Sequence, residues 1–401
     1  MRRLIYLDHQ ATTPCDASVV EAMAPYWGEE FGNPASKTHA LGWRSERAVE
    51  AARDKVAELI GADSREIIFT SGATEANNLA ILGLARASRA RGRHVVTLQT
   101  EHRAVLDPCA ALVKEGFRVS VLPVGRDGIV DLERLEGALT DETILISIMH
   151  ANNEIGTIQP LEEIGELARA RGIAFHSDAA QSVGKLETDV TALGLDLLSF
   201  TAHKLYGPKG VGALWIRRPS PAEGGRSRLR LEPILYGGGH ERGLRSGTLP
   251  VPLVAGFGRA CELADERREE DACRLARLRE RLWKRLSAEL EAVELNGDAV
   301  RRLPGNLNVS FLGVEGEALL AALPDVALSS GSACTSATRE PSHVLRALGL
   351  GEQRALCSLR FGLGRSTTEA EVDLAAELVI EQVRRQRALS PLWEQAKRSH
   401  V

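Results

Sequence analysis

Lys204 follows an apolar run, Leu197-Leu198-Ser199-Phe200-Thr201, and stands between His203 and a Gly207-Pro208 break. A lysine at the mouth of a buried strand is costly to desolvate unless it has a task. One task fits: an amine that forms a Schiff base with a carbonyl cofactor. The plain alternative, a surface lysine after a strand, would be preferred for a lysine in isolation. Asp178 ends a second strand-like run, Ala174-Phe175-His176-Ser177. A carboxylate there needs a cationic partner, and a pyridinium nitrogen is one; an ionised Asp would keep that nitrogen protonated. Gln181, three residues on, could bond a ring hydroxyl. Asp178 could instead cap a helix, a reading that weakens once Lys204 is set beside it.

Other segments add donors. Thr70-Ser71-Gly72-Ala73-Thr74-Glu75 follows a strand and opens a helix, an arrangement that suits a phosphate, although Ser71 or Thr74 could simply cap the helix. His102, after another strand, could stack on a flat cofactor or be a satisfied structural residue. Asn153 could reach a substrate carboxylate or the cofactor ring, or occupy a left-handed turn. Arg360, on a short strand, suits bidentate capture of a carboxylate, with an ordinary ion pair as the competitor. Gly237 to Thr248 is glycine-rich but lacks the P-loop pattern, so a nucleotide P-loop is excluded. Ser329 to Thr338 is a run of small residues with Cys334 in its middle, the exposed, mobile setting a nucleophilic thiol needs.

Elements that could position these residues alternate along the chain. Strands are predicted at Ile67–Thr70, 94–99, Arg118–Leu122, 143–149, 174–177, Leu197–Thr201 and 211–216. Helices are predicted at 74–91, 106–115, 132–139 and 161–171, closed by Gly92, Gly116 and Gly172. The fold class is α/β, a mostly parallel sheet wrapped by helices, followed by a smaller α+β unit. Leu275, Leu278, Leu282, Leu286 and Leu290 recur at helical spacing and read as an amphipathic surface helix. Pro219–Arg230 reads as an exposed basic excursion.

The 401 residues are 44% hydrophobic and 26% charged, with a net charge of −4, which asks for neither nucleic acid nor an anionic membrane as partner. The start reads as no signal peptide, and no apolar run is long enough for a bilayer; the expected location is the cytoplasm. None of the six cysteines forms a C-x-x-C pair, so a structural zinc site is not expected.

Together these segments resemble the cysteine desulfurases, pyridoxal-phosphate enzymes of the class V aminotransferase group. The likeness is to the housekeeping type of iron–sulfur cluster assembly, in its long-loop subgroup. It runs from Tyr6-Leu7-Asp8-His9-Gln10 through Phe31-Gly32-Asn33-Pro34 to Ser390-Pro391-Leu392-Trp393, with Ser329-Ser330-Gly331-Ser332-Ala333-Cys334-Thr335-Ser336 the most specific segment. The resemblance implies fold type I, with a large domain over 14–253 holding a seven-stranded sheet. A small domain would comprise 1–13 and 254–401 and carry the cysteine loop at about 329–342. Pyridoxal 5'-phosphate would be held covalently by Lys204, stacked by His102, and paired with Asp178 and Gln181. Its phosphate would lie at Ala73, Thr74, Thr201 and His203, with Thr248 completing that site in the other subunit of a homodimer. Asn153, also near the ring, and Arg360 would orient the carboxylate of L-cysteine. Cys334 would take the sulfur and release L-alanine. Acceptors would be a cluster scaffold protein, with which Cys334 could transiently ligate an iron–sulfur unit, and a tRNA-thiolation relay; catalysis itself needs no metal.

Alternatives are an aminotransferase or selenocysteine lyase of the same fold, which would need no cysteine on a mobile loop, and a non-catalytic interaction platform. Two departures bear on partner choice: the excursion is longer than in such members, and the chain ends at Val401 where they carry a longer tail.

Overall fold

The computed structural model describes residues 4–219, 229–330, 341–390 and 393. The segment bearing Cys334, the body of the Pro219–Arg230 excursion and nearly all of the chain after Ser390 lie outside the described residues. The main sheet has seven strands, in the order Ile67–Thr70, Gly212–Ile216, Leu197–Thr201, Ala174–Asp178, Thr143–Ser147, His94–Leu98 and Arg118–Leu122. All neighbours are parallel except Gly212–Ile216, which is antiparallel to both strands beside it. Five of the strands are buried along their whole length. Successive residues divide between cores on the two faces: Phe69, Val96, Phe175 and Leu198 enter one, and Ile68, Val95, Ala174 and Leu197 the other. That is why the strands read as unbroken apolar runs.

A second core surrounds a three-stranded antiparallel sheet, Ser358–Gly362, Asn306–Phe311 and Val293–Leu295. Ile5–Tyr6 pairs with Val326–Ala327 and brings the N-terminal segment beside that sheet. The leucine stripe belongs to a helix of 39 residues, Val251–Glu289. Its first half gives Val254, Phe257 and Cys261 to the main core, and its second half gives Leu278, Leu282 and Leu286 to the small one. The expected surface helix is therefore the beam joining both cores, with Arg281 on its outer side paired to Asp373 of the final helix, Glu369–Leu389. The stripe looked local because only its second half is spaced by leucine.

The helix expected over 74–91 is interrupted. It runs as an α-helix over Ala73–Asn78, widens to a π-turn over Leu79–Gly83 and resumes over Leu84–Ala87. The Gly83 carbonyl accepts from the Glu232 N–H at 3.0 Å, and a Cβ at Gly83 would lie 2.6 Å from the Glu232 carbonyl oxygen. An outside donor inserted at a glycine explains the widening. Gly116 and Gly172 do close their helices with left-handed backbone, φ 87° and 62°. Gly92 does not; it permits contact with the Glu142 carbonyl, 2.4 Å from where a Cβ would sit. Among the described residues no helix is long and apolar enough to cross a membrane.

Candidate active site

The parallel strands end on one side of the sheet, and the segments that follow them wall a cavity of about 630 Å³. This edge is where open α/β sheets hold ligands. His102 arrives after His94–Leu98, Asn153 after Thr143–Ser147, Asp178 at the end of Ala174–Asp178, and Lys204 after Leu197–Thr201. Ala73 and Thr74 line it from their helix start, and Gln181, Thr201 and His203 complete the side formed by the main sheet. Arg360 enters from the small sheet. Ten of the candidate residues thus line one space: Ala73, Thr74, His102, Asn153, Asp178, Gln181, Thr201, His203, Lys204 and Arg360; Cys334 lies outside the described residues. Thr248 is exposed and does not line the cavity of its own chain.

Each side chain has a defined hold. The Lys204 ammonium donates to the backbone carbonyls of Gln10 and of Ala11, the latter at 2.7 Å. Asp178 accepts from Asn77 Nδ2 at 2.7 Å and from the Ala180 N–H at 3.0 Å. The second contact is the cap-like bond the sequence allows, yet Asp178 starts no helix. No ion pair to Asp178 occurs among the described residues, although it is only 6% exposed. His102 does cap its helix, with Nδ1 accepting from the Ala104 N–H at 3.1 Å, which leaves the proton on Nε2. The start of the Ala73–Asn78 helix has no side-chain cap at Gly72; instead Glu75 accepts from the Ser71 N–H at 2.7 Å. Asn153 is not left-handed; Gly156, with φ 76°, turns that loop.

Arg360 is 1% exposed. It donates to Asp8 at 2.7 Å and to the Asn153 carbonyl at 2.9 Å, while its Nε has no partner among the described residues. The ordinary ion pair that competed with carboxylate capture is therefore present, and a free donor remains beside it. The His203 ring bonds Thr12 at 3.1 Å, and burial together with Lys204, Lys209 and Lys185 pushes its pKa down to about 4. It is a neutral donor or acceptor at neutral pH.

A family profile described as aminotransferase class-V matches residues 5–374. The chain belongs to the class-V aminotransferase family. Among its relatives, the cysteine desulfurase IscS of Anaeromyxobacter sp. (strain Fw109-5) is 56% identical over 397 residues, 99% of this chain and 96% of that one. The cysteine desulfurase of Mus musculus is 57% identical over 392 residues, 98% of this chain and 84% of that one. A solved NifS-like protein superposes with a TM-score of 0.86 at 36% identity, covering 94% of this chain and 98% of that one.

This class-V site also contains residues that strand-end reasoning missed. Asn77, which orients Asp178, sits a turn into a helix, where an Asn-Asn pair between buried alanine and leucine was the available signal. Glu101, next to His102, is buried; the Met149 N–H donates to it at 2.8 Å and its other oxygen has no partner among the described residues. Burial first, and then Asp178, hold its pKa well above the usual carboxylate range. Buried Cys109 and Cys357 are pushed up to about 12 and about 11 by burial and stay protonated thiols.

Glu154 follows Asn153 and accepts from the Ser342 hydroxyl, while Asn308 Nδ2 donates to its carbonyl at 3.1 Å. Burial pushes its pKa up to about 7 from 4.5. Between those values the folded protein keeps a proton that the unfolded chain has released, so this group's contribution to stability falls as pH rises. Glu154→Gln is therefore expected to gain stability over the parent between about pH 5 and about pH 8, by on the order of 2–3 kcal/mol. Chemical denaturation across that range checks it; a difference that does not change with pH rules it out.

Proposed function

We propose that the protein is a pyridoxal 5'-phosphate-dependent cysteine desulfurase that converts L-cysteine to L-alanine and passes the sulfur from Cys334 to acceptor proteins. One observation carries the reading: the Lys204 amine and the buried Asp178 carboxylate, which pairs with no cation among the described residues, share a cavity with Arg360 in a chain 55–57% identical to cysteine desulfurases. Cysteine as substrate has support from a solved relative, SspA, described in complex with cysteine, at 36% identity and a TM-score of 0.77 over 89% of this chain and 98% of that one.

The residues present fit the cofactor. A buried carboxylate that lines the cavity and forms no ion pair among the described residues is what a pyridinium nitrogen would satisfy. An uncapped helix start at Gly72 to Thr74 suits its phosphate, with Thr201 and His203 beside it. Lys204 would hold it covalently, and His102 would lie against its ring. When bound, the cofactor supplies an electron sink for bond cleavage at the substrate α-carbon.

The chain's own residues do the rest. Arg360 Nε and Asn153 orient the substrate carboxylate. Lys204 would take the substrate α-proton and return a proton to carbon. The Cys334 thiolate would form an S–S bond to the substrate sulfur as the Cβ–S bond breaks; the electron pair of that bond goes to Cβ, which takes up a proton, and alanine departs with the persulfide left on Cys334. Homodimerisation belongs to this reading: Thr248 lies outside its own chain's cavity, and Trp27, Phe31 and Tyr236 stand exposed. A cluster scaffold protein would be one sulfur acceptor, and the cytoplasm the site of action.

The test is the purified protein loaded with pyridoxal phosphate and given L-cysteine. Equimolar alanine and transferable sulfur are expected; pyruvate or no product overturns the reading. Asp178→Asn is expected to lower turnover on the order of 10²-fold, because the ring nitrogen loses its counter-charge.

A further inference from the structure

Gln181 and Lys185 are separated by four residues and joined by a tight turn. The N–H groups of Lys185 and Leu186 both donate to the Ser182 carbonyl, at 2.9 Å each. Gly184 makes the turn possible: its φ is 75°, and a Cβ there would lie 2.9 Å from Cβ of Ala264 on the long helix. The turn folds Lys185 back so that its Nζ lies 3.3 Å from Gln181 Oε1. Among the described residues this is the only side-chain bond of Lys185, and no carboxylate pairs with it.

The chemistry of the two partners fixes the Gln181 amide. As an ammonium, lysine is a donor only, so the amide oxygen faces Lys185. On the other side, Gln181 Nε2 donates to the Gln10 carbonyl at 2.9 Å, and a carbonyl is an acceptor only. Both ends demand the same orientation. The second N–H of Nε2 is then left for the cavity that Gln181 lines. A glutamine held from one side alone could flip and offer its oxygen instead.

We propose that Lys185 is a positioning residue of the cofactor site: by holding Gln181 Oε1 it commits the amide to present a donor to the ring oxygen of the bound cofactor, favouring the deprotonated form of that oxygen. The inference rests on the reading of the site as a pyridoxal-phosphate site. Burial, Lys204 and Arg360 push the Lys185 pKa down to about 7, and the amine donates in either protonation state. His9 and His203 also feel its charge. Across a small cavity beside it, Asp271 is taken up by Arg365 at 2.8 Å. Among the described residues, therefore, no carboxylate draws Lys185 away from Gln181.

The experiment is a pH titration of the visible absorbance of the purified holoenzyme, with cofactor affinity measured alongside by equilibrium dialysis. In Lys185→Met the loss of an oriented donor leaves the ring oxygen more basic. The midpoint of the absorbance change is expected to rise by about one pH unit, with affinity falling several-fold. Lys185→Arg, which keeps a donor, restores the midpoint. Gln181→Glu shifts it in the same direction, and adding Lys185→Met to Gln181→Glu produces no further rise. A midpoint in Lys185→Met equal to that of the parent overturns the inference, as does full additivity in the double variant. Should Lys185→Met not fold, Lys185→Leu, which likewise lacks a donor, carries the same comparison. A parent protein that acquires no visible absorbance with pyridoxal phosphate overturns both this inference and the reading beneath it.

Discussion

Cys334→Ser is expected to lower alanine formation from L-cysteine on the order of 10⁴-fold or more, while leaving cofactor binding and α-proton exchange intact. The reason is chemical. Only a thiolate can attack a thiol sulfur to form an S–S bond, and a serine hydroxyl at neutral pH is neither ionised nor able to hold the product. No other cysteine is placed to substitute. Cys109, Cys261 and Cys357 are buried, with pKa values raised by that burial, and neither Cys15 nor Cys273 lines the cavity. The diagnostic half of the experiment is the part that survives. Incubated in D₂O, the variant should still exchange the α-proton of L-cysteine, because Lys204 and the cavity are untouched. Alanine produced at the parental rate would remove Cys334 from the mechanism and favour a lyase that ejects the sulfur directly.

Lys204→Ala is expected to lose both activities, by on the order of 10³-fold or more in turnover. In the parent, Gln10 and Ala11 carbonyls hold the ammonium at the cavity wall. Among the described residues, the variant removes the only lysine amine both within the cavity and at the end of a sheet strand; Lys209, which also lines it, lies beyond the Gly207-Pro208 break. α-Proton exchange in D₂O should vanish with turnover, and small exogenous amines should recover part of it by occupying the space left by the side chain. Cofactor should also be released on dialysis, since the covalent hold is gone. Retained exchange in Lys204→Ala would assign the base elsewhere, with His102 the next candidate. The two variants separate the two halves of the chemistry: one loses sulfur transfer alone, the other loses everything after substrate binding.

Much of this was legible before folding. Lys204, Asp178, His102 and Asn153 each end or follow an apolar run, and in a parallel sheet all such positions fall at one edge. Strand periodicity therefore placed them together without any tertiary information. The Ala73–Asn78 helix start was legible for the same reason, because a small-residue turn after a strand must point to that edge. The long helix was read only in part, since its first half carries valine, phenylalanine, alanine and glycine and announces its burial less plainly than a leucine repeat. The break at Leu79–Gly83 was not legible at all: it depends on Glu232, far along the chain, donating to Gly83.

The sequence by itself determined the sheet, the edge where the chemistry gathers, and the side chains present there, because local periodicity decides which residues end strands. Tertiary structure decided how those side chains are held. Asn77 orients Asp178 across 101 positions, Asp8 meets Arg360 across 352, and the Gln10 carbonyl serves Gln181 and Lys204 across 171 and 194. Such bonds join segments that only packing brings together, and burial makes each of them necessary, since an unpaired polar group away from water is costly. Lys185 shows the division most clearly. In sequence it is one lysine among many; folded back by Gly184 against the long helix, it becomes the group that decides which face Gln181 turns to the cavity.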